Sequence, residues 1–148
     1  MTRSIYLDVC ALCRPFDDQT QLRVRLETDA IQLILSHVRS GHLALVVSPA
    51  QDIEISAIDE LAEREHLTSL LQQIGDRVEF DLKQARNRAE EMARLALGPA
   101  DAAHLAFAEQ AQASFITCDD RLLRQCKRVR PAVWVGTPVS FCDEEDLR

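Results

Sequence analysis

Apolar residues follow two alternating patterns along the chain, short segments of strand length and longer stretches with helical spacing. The strand-like segments cover residues 4–7, 43–47, 77–80, 114–117 and 132–135. Between them apolar residues return every three or four positions, which predicts helices over about 19–40, 50–74 with a break near 66–68, 82–97, 100–113 and 120–127, followed by a polar tail. We therefore predict one α/β domain over residues 1–148, a three-layer α/β/α sandwich with a central parallel sheet.

Carboxylates follow the predicted strands at the positions where parallel sheets bind ligands. Asp8 comes directly after the first strand, and Asp119 and Asp120 come directly after the fourth. Glu54 lies in the first turns of the second helix, and Asp101 opens the fourth helix. The ligand crevice of an open parallel sheet lies beyond the carboxyl ends of its strands. We therefore expect these acids to gather at one edge of the sheet.

Glu54 is also predicted to point toward the protein interior, because it shares a predicted helix face with the apolar residues Ala57, Ile58 and Leu61. An unpaired carboxylate on such a face is costly unless it takes up a proton or a cation. Several acids at one edge also repel one another, and a hard divalent ion with oxygen ligands removes that repulsion. The pattern therefore predicts bound Mg²⁺ or Mn²⁺, and hydrolysis of a phosphate ester as the chemistry.

Helix capping is the competing interpretation for the acids at helix starts. Asp119 and Asp101 each stand where a helix begins, and a capping role is at least as common there as metal binding. His104, one turn after Asp101, is more typical of a buried, hydrogen-bonded histidine, and we expect it to have a supporting role. Ser48 and Thr117 at strand ends are placed to orient a water or a ligand. The joint pattern of four distant segments favours the metal site.

Composition and charge narrow the class of protein. A net charge of −7 argues against a general polyanion binder, because nucleic-acid affinity depends largely on cations. Apolar residues make up 47% of the chain and charged residues 28%, as in folded globular proteins. No apolar run approaches the roughly 20 residues of a bilayer span, and the start of the chain does not resemble an export signal. We expect a cytoplasmic protein with no membrane segment.

The five cysteines raise a different chemistry. Cys10 and Cys13 have the C-x-x-C spacing of thiol oxidoreductases, but Arg14 and Pro15 follow directly, which indicates a turn where those enzymes begin a helix. A zinc site needs two more ligands, and no second paired motif is present. Small buried residues beside the first acid are the favoured interpretation. Thiol redox chemistry stays open as a weaker alternative.

Four segments of the chain together resemble the signature segments of PIN-domain proteins, VapC-like toxin ribonucleases among them. They read "LDVCALCRPFDDQ", "IEIS", "PADAAHLAFAEQA" and "FITCDDRLL", and the first matches a subfamily with an R-P-F-D-D stretch after its first acid. The resemblance implies a Rossmann-like fold, bound Mg²⁺ or Mn²⁺ and endonucleolytic cleavage of single-stranded or structured RNA. Such proteins are often the toxin of a toxin–antitoxin pair, so an antitoxin partner and a homodimer are implied as well.

Carried over position by position, the resemblance gives the site residues. Asp8, Glu54, Asp101 and Asp119 match the four family acids, and they are the predicted catalytic and metal-binding residues; Asp120 is an adjacent candidate ligand. Under this hypothesis the acids hold the ion and polarise the attacking water.

The chain departs from the family pattern at two positions. Many PIN domains carry Asn, Ser or Thr where Cys10 stands, and a polar residue where Ala57 stands.

The sequence leaves two candidate functions open. The first is a metal-dependent ribonuclease, with Arg14 and the basic stretch at 121–130 guiding the RNA backbone. The second is a PIN module that has lost cleavage and binds RNA or a protein partner.

Overall fold

One sheet of five parallel strands forms the centre of the protein. The structure, a computed structural model, describes residues 2–148. Its strands are β1 (Arg3–Leu7), β2 (Leu43–Val46), β3 (Gly75–Asp76), β4 (Ser114–Ile116) and β5 (Val135–Gly136). They lie in the order β3-β2-β1-β4-β5, and every neighbouring pair is parallel. The predicted α/β architecture with a central parallel sheet is confirmed.

Helices cover both faces of this sheet. They are α1 (Val9–Leu12), α2 (Leu22–Arg39), α3 (Pro49–Ser56), α4 (Leu61–Ile74), α5 (Leu82–Arg94), α6 (Pro99–Gln110), α7 (Asp120–Val129) and α8 (Pro138–Glu144), with a 3₁₀ turn at Arg14–Phe16. Ile5 and Leu7 pack with α1, α2, α4 and α8, whereas Tyr6 packs with α5, α6 and α7. Alternate residues of β1 therefore enter two separate cores. Within residues 2–148 no helix has both the length and the apolar character that a bilayer crossing requires.

The sheet order creates a crevice at the end of β1. β1 pairs with β2 through Ile5 and Leu45, and with β4 through Leu7 and Ile116. The chain first builds the sheet outward on one side of β1 and then returns to build the other side. Ligands bind such sheets at the point where the strand order reverses, beyond the carboxyl ends of the strands. That point lies directly after β1 and β4.

Two predicted boundaries between residues 57 and 80 are wrong. The helix break lies at 57–60, between α3 and α4, rather than near 66–68, because Leu67 is a core residue and keeps α4 continuous. The third strand is Gly75–Asp76 rather than 77–80. β2 stops at Val46 and the chain turns into α3, so among residues 2–148 no strand pairs with residues 77–80.

The end of the chain also differs from the prediction. The last strand begins at Val135 instead of residue 132, and the polar tail forms α8. Thr137 caps α8 by accepting a hydrogen bond from the backbone N–H of Ser140 at 3.0 Å. Phe141 is buried against Trp134, with 5.6 Å between ring centroids. The cap and the buried residues Pro138 and Phe141 thus order a segment whose overall composition is polar.

Candidate metal centre

Asp8 stands at the centre of the crevice, immediately after β1, and is almost fully buried. The Thr117 hydroxyl donates a hydrogen bond to its Oδ2 at 2.7 Å, and the Cys10 thiol donates to the same oxygen at 3.3 Å. Cys10 thus occupies the position of the family's hydroxyl or amide and still supplies a donor. Because both donors reach Oδ2, Oδ1 is the oxygen of Asp8 left for a further ligand.

Thr117 also joins Asp8 to Asp119. The backbone N–H of Asp119 donates to the Thr117 hydroxyl oxygen at 3.1 Å. Asp119 Oδ1 in turn accepts from the backbone N–H of Leu122 at 3.1 Å, which caps α7. The capping interpretation of Asp119 is therefore right. The cap uses only Oδ1 of Asp119, so the second carboxylate oxygen remains available for another contact.

Glu54 reaches the crevice from α3. Its Oε1 accepts a hydrogen bond from His104 Nε2 at 3.0 Å. Asp8, Glu54 and His104 each offer one ligand atom, and these three atoms lie within 4.8 Å of one another.

The predicted reason for the inward position of Glu54 is wrong. α3 ends at Ser56, and both Ala57 and Leu61 are exposed, so the expected apolar stripe does not continue past the helix. The contact with His104, and not a helix face, brings Glu54 into the crevice.

A buried polar network lies directly beneath Glu54. The Tyr6 hydroxyl bonds Ser48 Oγ at 2.5 Å and His104 Nδ1 at 2.6 Å. Gln51 accepts from the Ser48 backbone N–H at 2.9 Å and donates to the backbone carbonyl of Leu7 at 2.7 Å. Burial strongly raises the pKa of Tyr6, so the phenol keeps its proton.

The sequence interpretation missed two members of this network. Gln51 could have been found, because Ser48 and Gln51 have the S-x-x-Q spacing of a capping box. Tyr6 lies inside an apolar strand, and nothing in the local pattern distinguishes it from a core residue.

Asp101 approaches from the opposite side of the crevice, in the first turn of α6. It lines a cavity of about 260 Å³ together with Asp119, Arg121 and Gln125. Burial raises its pKa to about 6, and the negative charges of Asp8 and Asp119 add to the effect. Burial and, after it, the neighbouring carboxylates thus disfavour ionisation of Asp101, and a cation among the acids would relieve the electrostatic part.

Asp120 is not placed with the other acids. Arg23 donates to both of its carboxylate oxygens, each at 2.7 Å, and this ion pair keeps the pKa of Asp120 below its usual range. The structure therefore places the ligand atoms of Asp8 and Glu54 close together, and Asp101 and Asp119 beside a shared cavity where the charges of Asp8 and Asp119 act on Asp101. Asp120 lies apart from them in an exposed ion pair.

The basic residues expected to guide RNA fall into two groups. Arg14 donates to Glu27 at 3.0 Å and to Asp17 at 2.9 Å, so its charge is already paired. The cationic side chains at 121, 124, 127 and 128 are exposed on α7, and of these Arg121 lines the Asp101 cavity.

The two cysteines of the C-x-x-C motif have separate surroundings. Cys10 contacts Asp8, whereas burial and the neighbouring Glu63 raise the pKa of Cys13 to about 12. A thiol with so high a pKa stays protonated at neutral pH and is a poor nucleophile. These surroundings resemble packing positions more than a thiol redox centre.

The fold and the acids at its switch point define a class, α/β proteins of the Rossmann-like kind with a carboxylate cluster beyond the central strands. A family model described as PIN domain matches residues 5–128. The chain therefore belongs to the PIN domain family, as its sequence segments indicate.

Comparison with individual proteins adds a structural relative. A search of curated proteins found no match. Among solved structures, the crystal structure of FitAcB from Neisseria gonorrhoeae is similar, with a TM-score of 0.52 and 18% sequence identity. The match covers 90% of this chain and 97% of that one. At this identity the likeness shows a shared fold.

Proposed function

We propose that the protein is a Mg²⁺- or Mn²⁺-dependent endoribonuclease whose metal ligands are Asp8, Glu54, Asp101 and Asp119. One observation carries the proposal: Asp8 and Glu54 offer ligand atoms within 4.8 Å of each other at the switch point of a PIN fold. Asp101 supports it, because burial raises its pKa to about 6 and the charges of Asp8 and Asp119 add to the shift. PIN domains are generally metal-dependent nucleases, which supports the same conclusion.

The donor set fits a hard divalent ion. Carboxylate oxygens are the preferred ligands of Mg²⁺ and Mn²⁺. Asp8 and Glu54 each use one oxygen for a contact within the protein and have the other available. A cation beside Asp101 would offset the negative charges that add to the raised pKa of this carboxyl.

The chain's own residues have distinct tasks in this proposal. When bound, a divalent ion offsets the negative charge that develops on phosphate oxygens during hydrolysis. Thr117 and Cys10 hold the Asp8 carboxylate in place. Arg121 and Gln125, which line the cavity beside Asp101, are suited to contact the phosphate and a base of the RNA.

The finer parts of the proposal concern partners. The substrate is single-stranded or structured RNA, and an antitoxin is proposed because the chain resembles VapC-like toxins and its charge of −7 suits a basic partner. A homodimer and a cytoplasmic location belong to the same prediction.

Cleavage of a fluorescent single-stranded RNA in Mg²⁺ or Mn²⁺ tests the function. We expect Asp8→Asn and Asp101→Asn each to lower the metal-dependent rate by at least about a hundredfold. Loss of a residue that only orients a metal ligand typically costs about 10- to 100-fold, and loss of the ligand itself should cost more. Asp29→Asn, at an exposed acid on α2, is the matched control and should cleave like the wild type.

Two results would contradict the proposal. Wild-type cleavage by both site variants would remove the metal ribonuclease altogether. RNA binding by the wild type without scission in either ion would favour the alternative, a PIN module that binds RNA and does not cut it.

A further inference from the structure

Four polar side chains, Tyr6, Ser48, Gln51 and His104, form the buried network beneath the crevice, and each is at most 1% exposed. They join β1, α3 and α6, the elements that carry or precede Asp8, Glu54 and Asp101. Burying polar groups is costly unless every one is satisfied, and among residues 2–148 no buried side-chain polar atom lacks a partner. A complete network of this kind holds its elements in a single arrangement.

The hydrogen-bond donors can be assigned by elimination. An ionised Glu54 only accepts, so His104 Nε2 must carry the hydrogen of their 3.0 Å contact. In a neutral ring Nδ1 then accepts, and the Tyr6 phenol donates to it. Neither ring nitrogen has a lone pair left for a metal ion, which argues against His104 as a ligand.

Glu54 has a long side chain, which needs a partner to hold it in one conformation. Its side chain is 41% exposed and stands two residues before the end of a short helix. Fixing a glutamate side chain costs up to about 1.5–2 kcal/mol of conformational entropy. Asp8 has two side-chain donors and Asp119 is held by its helix cap, whereas within residues 2–148 the side chain of Glu54 is held by His104.

We propose that His104 is a positioning residue: anchored by Tyr6 and Ser48, it holds Glu54 Oε1 so that Oε2 stays directed to the cation at Asp8. The inference rests on the proposed metal centre and deepens it. It assigns the network a function in metal affinity, separate from its contribution to packing.

Isothermal titration with Mn²⁺ in the absence of RNA tests this assignment. His104→Leu should weaken Mn²⁺ binding about 10- to 100-fold, the range typical for partners that orient ligands. His104→Gln should stay within about threefold of the wild type, since its amide nitrogen can donate from nearly the same place. In a Glu54→Ala background, His104→Leu should cause no further loss, because the group that it orients is gone.

Each outcome is decisive. Unchanged Mn²⁺ affinity in His104→Leu overturns the inference, and so does an equal loss with and without Glu54, which would make His104 a ligand or a purely structural residue. Should His104→Leu not fold, Tyr6→Phe replaces it: a severalfold loss that disappears in the Glu54→Ala background is then expected, and no loss overturns the inference. Wild-type Mn²⁺ affinity in Asp8→Asn would instead refute the metal centre itself.

Discussion

The crevice has two unlike halves. On the Glu54 side, His104 and the network around it are sealed from water and bonded to one another, and His104 also bonds the partly exposed Glu54. On the Asp101 side, comprising Asp101, Asp119 and the cavity that they share with Arg121 and Gln125, the carboxylates border open space and crowd each other.

If the proposed metal-dependent nuclease is correct, this difference separates two requirements of its site. A rigid, dry side fixes the distance between ligands, because a satisfied buried network resists rearrangement. An open side admits solvent and substrate. There, burial and the charges of Asp8 and Asp119 raise the pKa of Asp101. Disrupting the hydrogen bonds of the Glu54 side should therefore lower the stability of the fold, whereas neutralising a carboxylate of the Asp101 side should raise it.

The largest effect is expected from Gln51→Leu on the Glu54 side. The change leaves the Ser48 N–H and the Leu7 carbonyl buried without a partner, and should lower the free energy of unfolding by about 3 kcal/mol. Urea denaturation measures it. Gln125→Leu on the Asp101 side is the matched control and should stay within about 0.5 kcal/mol. Equal losses in the two variants would remove the contrast between the halves.

A smaller effect of opposite sign is expected from Asp101→Asn. The carboxyl titrates at 3.8 in the unfolded chain and at about 6 in the folded protein, so the folded state binds the proton more tightly. That contribution to stability is complete below pH 3.8 and is lost as the pH rises through 6.

Asn at this position carries no charge, so the variant should be more stable than the wild type by about 1 kcal/mol at pH 8, after discounting the shift for solvent screening. The gain should vanish near pH 4. Urea unfolding in EDTA at the two pH values is the measurement, with Asp29→Asn as the control. If Asp101→Asn is less stable than the wild type at pH 8, the negative charge of Asp101 does not destabilise the fold.

The smallest effect is expected from Arg121→Ala, assayed as RNA binding by the cleavage-deficient Asp8→Asn protein. Removing one phosphate contact should weaken binding severalfold for every sequence and reduce the slope of log K against log salt by about 1. Arg128→Ala, at an exposed position of the same helix outside the cavity lining, should change the slope less. Identical slopes would mean that RNA does not enter through the Asp101 side.

Local patterns were sufficient for most of the fold because each signal resides in a short segment. The continuous apolar run before Ser48 and the helix from Pro99 follow directly from their own residues. The strand expected at 77–80 did not form because a strand also needs a neighbour, and β2 had already ended. The helix at Pro138–Glu144 escaped prediction because few of its residues, Pro138 and Phe141 among them, are buried, too few for a helical apolar pattern.

The candidate site residues also divide into those placed by local sequence patterns and those placed by long-range contacts. Asp8 and Asp119 were predictable because both follow strands, and the edge of a parallel sheet collects whatever follows its strands. Asp120 follows a strand as well, yet Arg23, 97 residues away in the chain, holds it outside the crevice. Only a long-range contact could decide between two adjacent aspartates.

The sequence by itself determined most of the order of strands and helices, the acids at the strand ends and membership of the PIN domain family, because these depend on residues that are neighbours in the chain. The tertiary structure alone decided which carboxylate oxygens are free, that His104 holds Glu54, and that Tyr6 and Gln51 stand behind them. Those facts depend on hydrogen bonds between residues 42 to 109 positions apart, and such contacts exist only once the chain has folded.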